Sequence, residues 1–175
     1  MRQVMYETEN RLFDLNSVDI QRYIKNRYPI LMIDRVHEIV VGKSARGFKN
    51  FTNNEWFFPS HFENNPNVPG IVTLEVLMEM FIMSFITLPE CLGKETADVK
   101  VDKLHFNIKI FPGDKLDVTS ELKSFRRGVA TGTSVGYVNG DVACSCELIV
   151  CVPAIVFTFR PSNNPEKFPA KETKL

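Results

Sequence analysis

A histidine and a glutamate fourteen positions apart are the residues of this chain best suited to proton transfer. His61 lies in a loop rich in proline and asparagine, and Glu75 lies two turns into an apolar helix that the Pro69-Gly70 step is expected to open. A base on a loop and an acid on a helix, joined by a rigid turn, can approach one reacting carbon from two directions. The pair therefore predicts an enzyme for proton chemistry next to a carbonyl group.

Composition limits the classes of protein to which the chain can belong. Its 175 residues are 44% apolar, enough for the core of a single domain, and 21 basic residues balance 21 acidic ones. A formal charge of zero argues against generic nucleic-acid binding. No segment has the uninterrupted apolar length of a membrane helix, and residues 1–11 lack the apolar core of a signal peptide, so we expect a cytoplasmic protein.

The cysteines predict no metal or redox site. None of the four forms a Cys-x-x-Cys spacing: they are Cys91, Cys144, Cys146 and Cys151. We expect them to be buried free thiols in a reducing compartment.

Hydrophobic periodicity predicts one long helix among several strands. The segment 71–88 is apolar on nearly all faces, which is typical of a buried helix. Six segments follow the alternation and turn signals of strands: 30–41, 44–52, 97–110, 115–126, 129–138 and 142–159. We therefore expect an α+β fold, in which an antiparallel sheet of about five to six strands curves around one central helix.

The two ends of the chain are expected to differ in how well ordered they are. Asn16 or Ser17 can cap a short helix over 16–25. Residues 1–160 are expected to form one domain. The segment 161–175, with three prolines and many charges, predicts a loose tail.

The surroundings of the His–Glu pair match a known family. The chain carries His61-Phe62, Pro66, Val68-Pro69-Gly70 and Glu75. This pattern resembles the signature of FabZ-type (3R)-hydroxyacyl-acyl carrier protein dehydratases, Gly-His-Phe-Pro-Gly-His-Pro-x-Met-Pro-Gly with a Glu fourteen residues after the first His. The same offset separates the two residues here.

Three further blocks resemble the family in the same order. Residues 27–36 are similar to its Arg-Tyr-Pro-Phe-Leu-Leu-Val-Asp-Arg-Val, residues 50–58 to its Asn-Val-Thr-x-Asn-Glu-Pro-Phe-Phe, and residues 111–116 to the turn before its fourth strand. The resemblance covers roughly residues 17–152 and implies the hot-dog fold, a long helix wrapped by an antiparallel sheet.

Dehydration of a 3-hydroxyacyl thioester needs a base, an oxyanion site and an acid. His61 suits the base, because imidazole titrates near neutral pH. The Gly70 N–H suits the oxyanion, because Pro69 has no N–H and the helix dipole favours negative charge there. Glu75 suits the acid. The resemblance implies the same roles, with Val68, Pro69 and Gly70 as the substrate-binding stretch.

The resemblance also implies partners. The substrate is carried on the phosphopantetheine of an acyl carrier protein, and no other cofactor or metal is expected. In the family, the His and Glu of one site come from different subunits of a dimer. A homo-oligomer, either a dimer or a trimer of dimers, or a hetero-dimer with a related subunit is therefore expected.

Several positions depart from the family pattern. Ser60 replaces a Gly, Glu63-Asn64 replaces Pro-Gly, Asn65 replaces the second His, and Val68 replaces Met. The loop is therefore more polar. These changes suggest a specialised paralogue and leave room for an inactive relative.

The largest physical departure is Glu79, which replaces a Gln one turn after Glu75. Two carboxylates one helical turn apart disfavour each other's ionisation. Our hypothesis is that this helps Glu75 to serve as a proton donor. The alternative is that Glu79 pairs with a basic residue and changes nothing.

Other residues carry weaker predictions. Arg126 and Arg127 close a predicted hairpin, either as a solvated turn or as a docking site for an acidic carrier protein. His37 and His105 are interpreted as structural. The competing functions are a hot-dog acyl thioesterase, an isomerising dehydratase and a non-catalytic partner subunit. The pair His61 and Glu75 and the Pro-Gly helix start favour a dehydratase.

Overall fold

One antiparallel sheet of seven strands forms the framework of the part of the chain that the structure describes. The computed structural model describes residues 10–62 and 64–159. The strands are β1 (Arg11–Asn16), β2 (Arg35–Val40), β3 (Ser44–Asn50), β4 (Ala97–Phe106), β5 (Lys115–Arg126), β6 (Val129–Val138) and β7 (Asp141–Cys151). Their order is β1-β2-β3-β5-β6-β7-β4, and all neighbours are antiparallel. The expected tail at 161–175 lies outside the described residues.

One long helix is packed against this sheet. Three helices are described, α1 (Ser17–Ile20), α2 (Gly70–Met83) and α3 (Pro153–Val156). Helix α2 contacts β3, β5, β6 and β7, and ten of its fourteen residues are buried. The four with appreciable exposure are Gly70, Ile71, Leu74 and Glu75. Because α2 is apolar on nearly all sides, its side chains avoid water only when other parts of the fold cover nearly every side of the helix.

Small residues in the sheet allow α2 to approach closely. A Cβ placed on Gly132 would overlap the Phe81 ring and the Glu121 carbonyl oxygen. Nearby, the buried Ser134 hydroxyl donates a 2.9 Å hydrogen bond to the Leu77 carbonyl oxygen of α2. Strand β6 is therefore in direct contact with the helix at two points.

We expect Gly132→Ala to destabilise the fold by roughly 2 kcal/mol, because the added methyl group overpacks a rigid contact. Urea denaturation measures this change. Thr133→Ala, at the next and half-buried position, is the control and should cost less. Equal losses in the two variants would contradict this account of the helix–sheet contact.

Strand β4 lies at one edge of the sheet. It pairs with β7 on one side and with no strand of the described chain on the other. Two large apolar side chains of β4 are half exposed or more, Val99 at 58% and Phe106 at 50%. An unpaired edge strand with apolar side chains is a template for pairing with another chain.

The predicted architecture is confirmed, with one more strand than expected. The α+β hot-dog arrangement of sheet and central helix is present, and β5 and β6 have the predicted bounds. Strand β1 was not predicted. Its residue Asp14 has a positive φ of 56°, and the buried positions, Leu12 and Leu15, are three apart instead of two. This irregularity hides the period-two signal of a strand.

Several predicted boundaries are wrong. The strand predicted over 30–41 is confined to Arg35–Val40, and the strand predicted over 97–110 ends at Phe106. The last strand ends at Cys151 instead of continuing to 159, because Pro153 opens α3 at a position where a helix needs no N–H. The predicted helix over 71–88 ends as an α-helix at Met83 and continues as turns. The helix predicted over 16–25 is confined to Ser17–Ile20.

The predicted cap of α1 is confirmed. The Asn16 side chain accepts hydrogen bonds from the N–H groups of Val18 and Asp19. The Asp19 carboxyl accepts in turn from the Asn16 N–H, at 3.3 Å, which completes a capping box.

Candidate active site

The loop that carries His61 holds the imidazole in a defined orientation. His61 follows a 3₁₀ turn (Phe58–Ser60), and its Nδ1 lies 2.8 Å from the main-chain oxygen of Asn67. A carbonyl oxygen can only accept, so Nδ1 is the donor and the other ring nitrogen, Nε2, holds the lone pair of the neutral imidazole. The Phe62 ring lies against the imidazole with 4.2 Å between the ring centroids. Nε2 of the half-buried imidazole is therefore the ring nitrogen that can accept a proton.

Asn67 has a second role in the same loop. Its side chain is 8% exposed and donates a 2.9 Å hydrogen bond from Nδ2 to the Asn65 carbonyl oxygen. The side chain thus closes the turn whose main chain holds His61. Asn67 could not be identified from the sequence, because any type of residue can supply a main-chain oxygen as acceptor.

Helix α2 begins without a side-chain cap. Pro69 is its N-cap residue and makes no side-chain hydrogen bond to the helix. Within the residues that the structure describes, the N–H groups of Gly70 and Ile71 have no acceptor. Unpaired N–H groups and the helix dipole favour negative charge at this point. The stretch Val68 to Gly70 is held by a 2.8 Å hydrogen bond from the Val68 N–H to the Ile110 oxygen.

A cleft of about 410 Å³ lies at this helix start. Its lining includes Val68, Gly70, Thr73, Phe106 and Cys144. A Cβ on Gly70 would lie 3.0 Å from the Phe106 ring, so glycine keeps the passage between the helix start and β4 open. A substrate carbonyl in this cleft would meet main-chain N–H groups and apolar walls.

Glu75 lies half-buried one turn and a half into α2. Its Oε1 accepts a 3.1 Å hydrogen bond from Asn26 Nδ2. Burial and the negative charge of Asp98 raise the pKa of Glu75, and the hydrogen bond from Asn26 opposes them. This environment favours the protonated carboxylic acid more than water does, as a proton donor requires.

Glu79 is entirely buried, although it is ionisable. Its Oε2 accepts from the main-chain N–H groups of Met32, at 2.7 Å, and Ile33, at 3.0 Å. Its Oε1 accepts from Asn26 Nδ2 at 3.1 Å. Burial raises the pKa of Glu79 to about 7, although these three donors oppose the rise, and the charge of Glu75 adds to it.

The ion pairs of the described residues decide between the two alternatives for Glu79. Among residues 10–62 and 64–159, no basic side chain forms an ion pair with Glu79, so the pairing alternative is wrong. Beyond burial, the charge of Glu75 raises the pKa of Glu79. Burial and Asp98 raise the pKa of Glu75, and the hydrogen bonds from Asn26 oppose the rise in both carboxyls. The hypothesis that Glu79 helps Glu75 to donate a proton stays a prediction. Sequence reasoning missed Asn26, which has no signal in the sequence before the fold is known.

The remaining predicted residues lie apart from this cleft. Arg126 and Arg127 are exposed at the β5–β6 turn, with the Arg127 guanidinium 5.8 Å from the Phe159 ring, and neither lines the cleft. Their docking role stays a prediction. His37 is exposed and packs against Phe48, in line with a structural role.

The cysteines are free thiols, as expected. Three are buried, and Cys151 is half-buried. Burial raises the pKa of Cys144, which lines the cleft, to about 12, so its thiol stays protonated. No group of three or more metal-ligating side chains occurs among the described residues, and no helix described there is long and apolar enough to cross a membrane.

Solved structures share the fold. The dehydratase heterocomplex ApeI:P from Xenorhabdus doucetiae contains a chain that superposes with a TM-score of 0.66 at 12% identity, over 81% of this chain and 97% of that one. An uncharacterised protein from Pyrococcus horikoshii superposes with a TM-score of 0.58 at 15% identity, over 75% of this chain and 91% of that one. The sheet and its buried helix therefore define a hot-dog protein.

Sequence comparison narrows the class to one family. Residues 24–147 match the FabA-like domain. The 3-hydroxyacyl-acyl-carrier-protein dehydratase FabZ of Alkaliphilus metalliredigens is 37% identical over 135 residues, which are 77% of this chain and 92% of that protein. The FabZ dehydratase of Clostridium botulinum is 35% identical over 142 residues, or 81% and 97%. This chain belongs to the FabA-like family.

The buried carboxyl of Glu79 predicts a pH-dependent stability. Its proton is bound more tightly in the folded chain than in the unfolded one, where the pKa is near 4.5. The stabilisation is therefore complete below pH 4.5 and is lost as the pH rises through about 7. We expect the free energy of unfolding of the wild type, measured by urea denaturation, to fall by on the order of 3 kcal/mol between about pH 5 and about pH 8. Glu79→Gln should not show this loss.

The exposed Glu121→Gln is the matched control and should follow the wild type at every pH. Parallel stability curves for wild type and Glu79→Gln would contradict the assignment of the pH dependence to this carboxyl.

Proposed function

We propose that the protein is a dehydratase of 3-hydroxyacyl thioesters. It eliminates water from a substrate carried on the phosphopantetheine of an acyl carrier protein and gives the trans-2-enoyl thioester, in cytoplasmic fatty acid or related lipid biosynthesis. The observation that carries the proposal is the match to FabZ dehydratases over 92% or more of their length, at 35–37% identity. The orientation of His61 and the uncapped start of α2 support it.

The geometry suggests a role for each group. Nε2 of His61 removes the proton alpha to the thioester carbonyl, because Nδ1 is already engaged by Asn67. The Gly70 N–H stabilises the negative charge that develops on the carbonyl oxygen. The carboxylic acid of Glu75 protonates the departing hydroxyl, so that the C–O bond breaks and water leaves. A proton then returns from the imidazolium to the Glu75 carboxylate through solvent.

We expect the site to be completed by a second copy of the chain. Among the described residues, His61 and Glu75 do not hydrogen-bond to each other; His61 contacts its own loop and Glu75 contacts Asn26. The free edge of β4 offers the surface for pairing, next to the Phe106 wall of the cleft. In such a dimer, the His61 of one subunit would face the Glu75 of the other.

Activity of the two residues is testable directly. We expect His61→Ala and Glu75→Gln each to lower kcat at least about 100-fold on a 3-hydroxyacyl carrier protein, because each removes one partner of the proton transfer. Enoyl absorbance reports turnover, and release of free thiol would instead report a thioesterase. His37→Ala and Glu121→Gln are exposed controls and should retain the wild-type rate. Wild-type rates in both site variants would reject the assignment.

The β4 edge is testable through the oligomeric state. We expect Val99→Lys to convert the dimer to a monomer in light scattering and to lower activity, because a buried lysine charge is costly at a paired edge. Val18→Lys, at a 65% exposed position on α1, is the matched control and should remain dimeric. A wild-type protein that is monomeric and inactive alone, and is activated by a related subunit, would indicate the hetero-dimer instead.

A further inference from the structure

The side chain of Asn26 connects the proposed acid to a second, fully buried carboxyl. We propose that Asn26 and Glu79 are positioning residues of the active site: Glu79 fixes Asn26, and Asn26 fixes one oxygen of Glu75 so that the other is presented to the substrate hydroxyl. This inference rests on the proposed function. It assigns roles to two residues that neither touch the substrate nor belong to the His–Glu pair.

The bonds of Asn26 account for both amide hydrogens. Nδ2 lies 3.1 Å from Oε1 of Glu75 and 3.1 Å from Oε1 of Glu79. An amide nitrogen has two hydrogens, so it can serve both acceptors at once. Asn26 is 49 and 53 positions from these residues. The contact therefore ties the N-terminal segment, residues 21–34 between α1 and β2, to α2 beside the proposed acid.

The main chain around Asn26 is held in place by Arg27. The Arg27 guanidinium donates to three main-chain oxygens: from Nη1 to Ile24 at 2.9 Å and to Asn26 itself at 2.8 Å, and from Nη2 to Gln21 at 3.1 Å. This clamp fixes the turn after α1 from which the Asn26 side chain projects. The donor is therefore pre-oriented before a substrate arrives.

Glu79 provides the fixed end of the connection. Its Oε2 is occupied by the N–H groups of Met32 and Ile33, so only Oε1 is available to Asn26. Glu79 has no exposure and cannot reach solvent for another partner. A buried acceptor that has one oxygen left over will retain the donor that faces it.

The consequence for Glu75 concerns its two oxygens. Oε1 is bound to Asn26, and Oε2 has no partner among the described residues. The acidic proton can therefore reside on Oε2 and be aimed at the departing hydroxyl, while free rotation of the carboxyl is prevented. A glutamate without this anchor would spend part of its time turned away from the substrate.

Charged groups from three parts of the chain lie near the Glu75–Asn26–Glu79 contacts: β4, the turn after α1 and the segment before β4. Asp98 at the start of β4 faces Glu75 and favours its protonated form. Lys25 and Lys94, with Glu95, line a small cleft of about 210 Å³ beside Asn26. The Asn26 donor opposes Asp98, because a hydrogen bond to the carboxylate stabilises its charged form.

The first test removes the anchor. We expect Asn26→Ala to lower kcat about 10- to 100-fold with KM changed less than about 3-fold, because the loss falls on the orientation of the acid and not on binding. The alkaline limb of the kcat profile should move to higher pH, since the donor that lowers the pKa of Glu75 is gone. Asn53→Ala, an exposed position, is the matched control and should be unchanged.

The second test is a double-mutant cycle. In Glu79→Gln, the glutamine amide can turn its NH₂ group toward Asn26 and repel its donor, so kcat should fall to a similar extent. If the two residues act in series, the double variant Asn26→Ala/Glu79→Gln should be no slower than the slower single variant. Multiplied losses in the double variant would overturn the inference.

The results separate this inference from the proposed function. A wild-type enzyme with an inactive His61→Ala variant and a fully active Asn26→Ala variant would overturn only the positioning role. A loss of kcat in Asn26→Ala that is proportional to a loss of folded protein, with the pH profile unmoved, would also overturn it. No enoyl formation by the wild-type dimer on any 3-hydroxyacyl carrier protein would overturn the proposed function itself.

Discussion

The fold depends on the accommodation of one buried carboxyl group. Glu79 lies on a helix that is otherwise covered by apolar side chains, and an unsatisfied acid there would oppose closure of the sheet over α2. Three N–H donors make its burial tolerable, and two of them belong to the main chain of Met32 and Ile33. The same bonds attach the N-terminal segment to the helix. Placement of Asn26, and with it of Glu75, follows from that attachment.

The proposed site is assembled from parts that are each held independently. The loop fixes His61 through the main chain of Asn67. The helix start exposes N–H groups because neither Pro69 nor another side chain caps it. The N-terminal segment fixes Glu75 through Asn26. Because none of these restraints involves a substrate, the chemistry meets a framework that is already organised, which reduces the ordering cost of the reaction.

The elements governed by local signals could be predicted from the sequence. The hairpin turn at Asn139-Gly140 delimits β6 correctly, and the all-round apolar character of α2 identifies it as the buried helix. Strand β1 could not be predicted, because the positive φ of Asp14 disturbs its alternation. The partnership of Asn26 with two glutamates could not be predicted either, since it spans about fifty positions and exists only once the sheet has closed.

The main-chain bond to His61 has an evolutionary consequence. The acceptor is the main-chain oxygen of position 67, and the Asn67 side chain closes the turn that presents it, so side chains elsewhere in the loop can change without removing the bond. Neighbouring positions such as Ser60, Asn64 and Asn65 are then free to drift in sequence. Lineages with dissimilar loops can retain the same imidazole tautomer, and a divergent loop is accordingly a poor marker of lost catalysis.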